Sequence, residues 1–244
     1  MTKASYITLL FLLITLPCKT QHIKTGIQVG LGSYSMAGLK ELNENALITT
    51  PFETELVHDF PAYFYYRPFI LLKLKKISFG PVFTFQSTGS RISARDYSGE
   101  YLLDMVVSSN GPGIYDEIVL FDHNYIHYSF YSTFGTLFSN LKMKESLVVN
   151  DKSLSDEKFR FKSFNYYLEA GLNFSYSYNF LDFGFSTGFQ IQAGGGSFRY
   201  SENKDTKLIN TETNNPVRPG WNGFRAGFSV SYCFPKSSEK PINP

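Results

Sequence analysis

The stretch that decides the fold runs from Phe180 to Gly194 and reads Phe-Leu-Asp-Phe-Gly-Phe-Ser-Thr-Gly-Phe-Gln-Ile-Gln-Ala-Gly. From Leu181 to Ala193, every second position is apolar or Thr, and the positions between carry Asp, Gly, Ser or Gln. Because successive side chains of a β-strand point to opposite faces, this period of two predicts a strand. One face of that strand lies in an apolar medium and the other in a polar one.

Both ends of the chain repeat this alternation, in residues 23–32 and 223–234. Between them, a unit of two strands joined by a short turn occurs three times. The copies span residues 62–88, 113–136 and 166–194, and turn at Lys75-Lys76, at Asp122-His123-Asn124 and near Asn179. Three hairpins and two terminal strands predict eight strands. Ten strands is the alternative, because residues 101–108 and 141–149 could each cross as well.

The connections between the predicted strands fall into two sizes. Short turns join the strands of each hairpin, whereas the remaining links are long and are expected to be loops: residues 33–60, 89–112, 139–163 and 195–220. Each predicted strand is long enough for the ~9 to 11 residues that a tilted membrane strand needs. Short turns on one side and long polar loops on the other are typical of outer-membrane barrels.

The chemistry of the two faces separates a membrane barrel from a soluble one. A soluble barrel would bury its Phe residues inside and carry Lys and Glu outside. Here the polar face is mostly Gly, Ser, Thr, Gln and Asn, which suits a crowded lumen better than a water-facing surface. The sequence therefore predicts an all-β, antiparallel, up-and-down transmembrane β-barrel.

The first residues have the layout of a secretory signal peptide. A short positive segment precedes an uncharged apolar run from Ile7 to Leu16, which is too short to span a bilayer as a helix. We expect residues 1–20 to be removed, although Cys18 could instead be a lipidated first residue. Cleavage would leave Cys233 as the one cysteine of the mature chain, so no internal disulfide is expected.

Charge argues against nucleic acid as a partner. Loss of Lys3 and Lys19 with the signal peptide leaves equal numbers of basic and acidic residues, and the Lys and Arg are scattered along the chain. Such a protein has no basic field to attract nucleic acid.

These features resemble the small outer-membrane β-barrel families, including the OmpA/OmpX-like and PorT-like barrels. The resemblance rests on the signal peptide, the hairpin pattern and a last strand with Phe228, Val230, Tyr232 and Phe234 on one face. It implies a barrel over residues 21–234 in the outer membrane of a Gram-negative bacterium. It also implies the lipid bilayer and the barrel-assembly machinery, which reads the last strand, as partners. Residues 235–244 depart from the family pattern and are expected to form a disordered periplasmic tail.

The lumen of an eight-stranded barrel is just wide enough to be filled by side chains, so we expect a plugged interior. A charge buried there needs a partner. We therefore predict a structural network that includes Glu169 with Arg67 or Arg225. The inward polar candidates are Arg67, Gln86, His127, Glu169, Gln190 and Arg225.

Binding, if present, is expected in the long connections. Residues 35–47 could form a short amphipathic helix with Met36, Leu39 and Leu42 on one side, placed over the barrel mouth. The second connection mixes charged and aromatic side chains, as recognition surfaces do; its candidates are Arg91, Arg95, Asp96, Tyr97, Glu100 and Tyr101. The acidic pair Asp116 and Glu117 is expected to break the alternation of its strand.

No motif points to a reaction. His127 near Ser129 suggests a hydrolase or acyltransferase, but no Gly-x-Ser-x-Gly elbow accompanies the pair. The histidines lack the spacing of metal ligands, and no cofactor is implied. The expected function is a non-enzymatic barrel with a structural or partner-binding role in the cell envelope. A narrow pore for ions or small solutes is the first alternative, and an outer-membrane enzyme the second.

Overall fold

The computed structural model describes residues 22–49, 54–95, 99–150, 152–203 and 205–234. The expected signal peptide with Cys18, the C-terminal tail, and the candidates Asp96 and Tyr97 lie outside these residues. The elements are β1 (His22–Gly32), α1 (Ala37–Thr49), β2 (Glu55–Asp59), β3 (Tyr63–Leu74), β4 (Ile77–Arg95), β5 (Gly99–His123), β6 (Ile126–Val149), β7 (Lys152–Tyr178), β8 (Leu181–Gly195), β9 (Arg199–Tyr200) and β10 (Gly223–Cys233).

Eight of these strands close into one antiparallel ring within the described part of the chain. The order around the ring is β1, β3, β4, β5, β6, β7, β8 and β10, and β10 pairs back with β1, for example through Ile27 and Val230. The prediction of an eight-stranded up-and-down barrel is therefore confirmed. β2 pairs with the upper part of β4, and β9 with β7, so neither belongs to the ring.

Three two-residue turns close the hairpins at one end of the barrel, near the positions predicted from the sequence. Each begins with a residue at positive φ: Lys75 at 53°, Asn124 at 54° and Asn179 at 53°. Two-residue hairpin turns need this backbone conformation because it matches the twist of the flanking strands. Asn adopts it more readily than most residues, which explains two of the three choices.

The connections expected over residues 89–112 and 139–163 are not loops. β4 and β5 stay paired up to Arg95 and Glu100, and β6 and β7 up to Val149 and Lys152. These four strands are 19, 25, 24 and 27 residues long, far more than a membrane crossing needs. Residues 101–108 and 141–149 are continuations of β5 and β6, so the ten-strand alternative is wrong.

The outer wall of the barrel has two parts with opposite chemistry. The aromatic belt consists of the outward apolar side chains of the ring, and includes Phe64, Tyr66, Phe83, Ile114, Phe134, Phe138, Phe164, Leu168, Phe185, Phe189, Phe224 and Phe228, all largely exposed. The extension comprises residues 89–95, 99–108, 140–149 and 152–162 of β4 to β7, above the belt. Its outer face carries charged side chains such as Lys142, and its inner face is apolar, as at Met105 and Leu141.

The inner face of the extension is filled by an apolar cap. Met36, just before α1, and Leu39 on α1 are fully buried in a cluster that includes Phe198 and Trp221, and Leu42 packs against its edge. The Trp221 indole N–H donates a 2.8 Å hydrogen bond to Ser139 Oγ on β6. The predicted amphipathic helix over the barrel mouth is thus confirmed.

No helix in the described ranges is long and apolar enough to cross a membrane.

Candidate functional site

A single carboxylate, Glu169 on β7, holds two guanidinium groups, one from the opposite side of the ring and one from two strands away. Arg67 on β3 donates to it at 2.5 and 3.3 Å, and Arg225 on β10 donates at 2.8 Å. The Tyr131 hydroxyl adds a fourth hydrogen bond at 3.0 Å. All three charged side chains are fully buried. The network therefore bridges the interior of the barrel at the level of the aromatic belt.

Two arginines and one glutamate leave an excess positive charge, which neighbouring groups offset. Arg67 also donates to Gln28 Oε1 at 3.3 Å, and Arg225 donates to Gln86. The Tyr65 ring lies 4.9 Å from the Arg225 guanidinium carbon and 5.7 Å from that of Arg67. An aromatic face attracts such cations. The cations are thus held by amide oxygens and by a π-face.

Four of the six lumen candidates form one hydrogen-bonded network, and the other two make different contacts. Arg67, Gln86, Glu169 and Arg225 form the network described above, and both arginines contact the glutamate. Gln190 lies beside the network, opposite Glu169 on the neighbouring β8, but its amide donates to the Trp221 carbonyl at 2.7 Å. His127 lies at the short-turn end, away from the network.

His127 sits between a carboxylate and a hydroxyl. Its Nδ1 is 2.9 Å from Asp122 Oδ1, and its Nε2 is 2.9 Å from Ser177 Oγ. Ser129, which the alternation places on the same face as His127, donates instead to Glu117. His127 reaches across to Ser177 on the neighbouring strand, β7.

The Ser177, His127 and Asp122 contacts have the order of a hydrolase triad, but two features oppose that chemistry. Ser177 Oγ donates a 2.5 Å hydrogen bond to Asp182, so its proton points away from the imidazole. A hydrolase also needs free N–H donors for the oxyanion. Here the Ser177 N–H is occupied by the Tyr125 carbonyl. The arrangement is a hydrogen-bonded closure of the barrel end.

A second buried cluster near the short turns was missing from the candidates. Lys24 forms a 3.2 Å ion pair with Asp182, which also accepts the Cys233 thiol at 3.3 Å. Glu117 accepts hydrogen bonds from Ser129 and, at 2.7 Å, from Asn173. The sequence held the signal for this cluster, because the alternation already places Lys24 and Asp182 on the polar face.

Asp116 and Glu117 do not break the alternation, contrary to the sequence-based expectation. Glu117 points into the lumen, and Asp116 points outward, half-buried, accepting a 2.7 Å hydrogen bond from Ser132. The neighbouring strand supplies the hydroxyl that makes an outward carboxylate tolerable.

The described recognition candidates lie on strands rather than on a loop. Arg91 on β4 makes two hydrogen bonds to Asp104 on β5, at 2.6 and 2.9 Å, on the outer wall. Arg95 and Glu100 are directly paired at the ends of these strands, and Tyr101 packs at the edge of the apolar cap. The expectation of a loop is wrong because the alternation continues here, with apolar residues now inside.

Among the described residues, no group of three or more His, Cys, Asp and Glu side chains is placed to hold a metal ion.

Comparisons with known proteins found no matching family model and no matching curated protein. Among solved structures, three matches have low scores. Neisserial surface protein A has a TM-score of 0.36 and 9% identity, over 88% of this chain and 97% of its own. The attachment invasion locus protein Ail of Yersinia pestis has 0.36 and 11%, over 88% and 97%. The outer membrane protease OmpT from Escherichia coli has 0.38 and 12%, over 88% and 96%.

These values assign neither a family nor an activity. The fold is therefore assigned from the outer wall and the lumen of this chain. An eight-stranded ring with an apolar belt outside and a polar network inside is the arrangement of outer-membrane barrels. The chain has the fold of a transmembrane β-barrel.

Proposed function

We propose that the protein is a non-enzymatic β-barrel of the outer membrane of a Gram-negative bacterium. Its lumen is closed, and it supports the envelope or binds a partner through the parts outside the bilayer. The bilayer covers the aromatic belt, and the barrel-assembly machinery engages β10, whose outward Val230 and Tyr232 and the following Phe234 continue the belt.

The proposal rests on the observation that the lumen is closed at two levels. The buried network of Glu169 with Arg67 and Arg225 blocks the interior within the belt, and the apolar cap around α1 blocks the extension. Between the network and the short turns lies a cavity of about 20 Å³. Such a volume holds about one water molecule and no solute. This interior favours a closed barrel over a pore.

Single-channel recording on refolded protein tests the closed lumen. Correct folding is checked first by faster migration of unheated than of boiled protein on a gel. We expect no sustained conductance at any applied voltage that the bilayer tolerates. Steady openings would support the alternative function, a narrow pore for ions or small solutes.

The non-enzymatic role is tested at His127, the one residue whose contacts resemble a catalytic arrangement. The variant His127→Ala should leave the lipid composition and the protease activity of the envelope unchanged. A change in either profile, with a normal amount of folded barrel, would favour an outer-membrane hydrolase or acyltransferase.

The membrane location is tested by fractionation. We expect the protein in the outer-membrane fraction, with heat-dependent migration on gels. A soluble protein whose migration does not depend on heating would contradict the location.

A further inference from the structure

We propose that the outer wall of β6 and β7, directly above the aromatic belt, binds the headgroup of a phosphorylated lipid anchored in the adjoining leaflet. The inference rests on the proposed membrane location and assigns a ligand site to a surface outside the closed lumen. Three observations carry it: a change of charge along the wall, the aromatic rings beneath it, and a cleft between the two.

The outer wall changes from aromatic to cationic side chains within two outward-facing residue pairs of β6 and β7. Phe138 and Phe164 face each other across β6 and β7. Two residues further along each strand Asn140 pairs with Lys162, and four residues further along Lys142 pairs with Arg160. Within the described part of the chain, no carboxylate forms an ion pair with Lys142, Arg160 or Lys162. Three exposed cations on neighbouring strands therefore have no ion-pair partner among the described residues.

The rungs above these differ in one respect. Lys144 and Lys158 share Asp156, at 3.9 and 3.8 Å, and so are partly neutralised. The unpaired cations thus form a band next to the belt, at the level where lipid headgroups begin. This band matches the phosphates of lipids in position and in charge.

The rings below the band offer a surface for acyl chains. Phe164 lies 5.2 Å from Phe138 and 5.0 Å from Tyr166, measured between ring centroids, and all three are outward and exposed. A strand rises about 3.4 Å per residue, so a cation two to four residues further along lies about 7 to 14 Å above. That spacing allows one lipid to contact both the rings and the cations.

A cleft of about 700 Å³ opens between the two parts of this surface. Phe138 and Phe164 line its lower side, and Lys162, Asn140 and Ser201 line its upper side. Asn140 Oδ1 and Ser201 Oγ are shielded from water and have no hydrogen-bond partner among the described residues. Hydroxyl groups of a lipid headgroup would supply such partners after a small side-chain rotation. The cleft is therefore apolar on the side of the belt and polar on the side of the extension, as the binding of a membrane lipid requires.

The test uses the refolded full chain in detergent and lipid A as the probe, in its diphosphorylated form and in a form without phosphates. Native mass spectrometry measures how much of each lipid the folded barrel retains. We expect the diphosphorylated lipid to bind at least tenfold more tightly. Lys142→Gln combined with Lys162→Gln should remove about tenfold of that affinity.

A matched control changes the same charge at the other end of the barrel. Lys75→Gln combined with Lys76→Gln alters two exposed lysines of a short turn, and should change binding less than twofold. Inorganic phosphate at millimolar concentration should not displace the lipid, because it lacks the acyl chains that contact Phe138 and Phe164.

Equal affinity of the wild type for both lipids would overturn the proposal, and this comparison needs no variant. An equal loss in both lysine pairs would show general attraction to the charge of the protein, and would also contradict a site on β6 and β7. Full displacement by inorganic phosphate would contradict a lipid as the ligand. None of these results depends on whether the lumen conducts, so the closed-barrel proposal is judged separately.

Discussion

The four strands of the extension, β4 to β7, also contribute to the aromatic belt, yet their faces carry opposite chemistry in the two parts. In the belt, β6 points Phe134 outward and Thr133 into the lumen. Eight residues further along, it points Lys142 outward and Leu141 inward. The alternation shows where the strands are. Whether its apolar residues point outward or inward shows which medium surrounds each part. The belt is built for lipid outside, and the extension for water outside and an apolar core within.

The interiors differ accordingly. The belt is held together inside by hydrogen bonds and charges around Glu169, and the extension by close packing of apolar side chains around Leu39. Substitutions can weaken each of these two sets of interactions separately, so the difference between the belt and the extension can be tested.

The largest effect is expected at the centre of the network. Glu169→Ala leaves Arg67 and Arg225 buried without their carboxylate, and breaking such a buried pair costs about 3 to 5 kcal/mol. Urea titration in detergent measures the free energy of unfolding. The control Asp156→Asn removes an exposed carboxylate from the extension and should cost less than about 1 kcal/mol. Similar losses in both variants would contradict a special role for the buried network.

A smaller effect is expected in the cap. Leu39→Ala removes a fully buried side chain of α1 and should destabilise the cap by about 3 kcal/mol, from the lost contacts and the cavity left behind. The rate of amide hydrogen exchange should rise in α1 and in the strands of the extension, but not in the belt.

Ile48 on the same helix is 75% exposed, and Ile48→Ala is the matched control for that variant. Its exchange should equal that of the wild type. Loosening of the belt strands by Leu39→Ala would mean that the two parts are not independent.

The outer wall gives the next effect. Phe134→Arg places a cation in the middle of the belt and should cost about 2 to 3 kcal/mol, because the charge faces lipid. Val106→Arg makes the same change on the outer face of the extension, where Val106 is 50% exposed and pairs with Lys142. It should cost about 0.5 kcal/mol or less. Unfolding in lipid vesicles measures both, and equal costs would show that the two walls face one medium.

The smallest effect is expected at the short-turn end. His127→Ala removes hydrogen bonds to Asp122 and Ser177 and should cost about 1 kcal/mol. The same urea titration detects this change. A loss as large as that of Glu169→Ala would mean that this end, rather than the network, holds the barrel together.

The sequence predicted most of the belt because the period of two is local. Strand number, the turns at Lys75 and Asn179, and the inward direction of Glu169 all follow from alternation and turn chemistry. The extension was not predicted because Met105 and Leu141 are apolar residues of the same kind as those that face lipid. Only the pairing with distant strands, and the helix packed against them, shows that these side chains point inward.

The partners inside the lumen were predictable only in part. Glu169 was expected to meet Arg67 or Arg225, but these residues are 102 and 56 positions away along the chain. Which arginine reaches the carboxylate depends on the register of the whole ring, and the register brings both. The partner of His127 was missed for the same reason, since Ser177 lies on the neighbouring strand.

The most direct test is a spin-label scan along the outer face of β6, after the free Cys233 is replaced by Ser. Labels at Phe134 and Phe138 should be reached by oxygen, which concentrates in lipid, and labels at Lys142 and Lys144 by a water-soluble nickel complex. The account predicts that the preference reverses between Phe138 and Lys142. Equal access of the nickel complex to all four positions would contradict it.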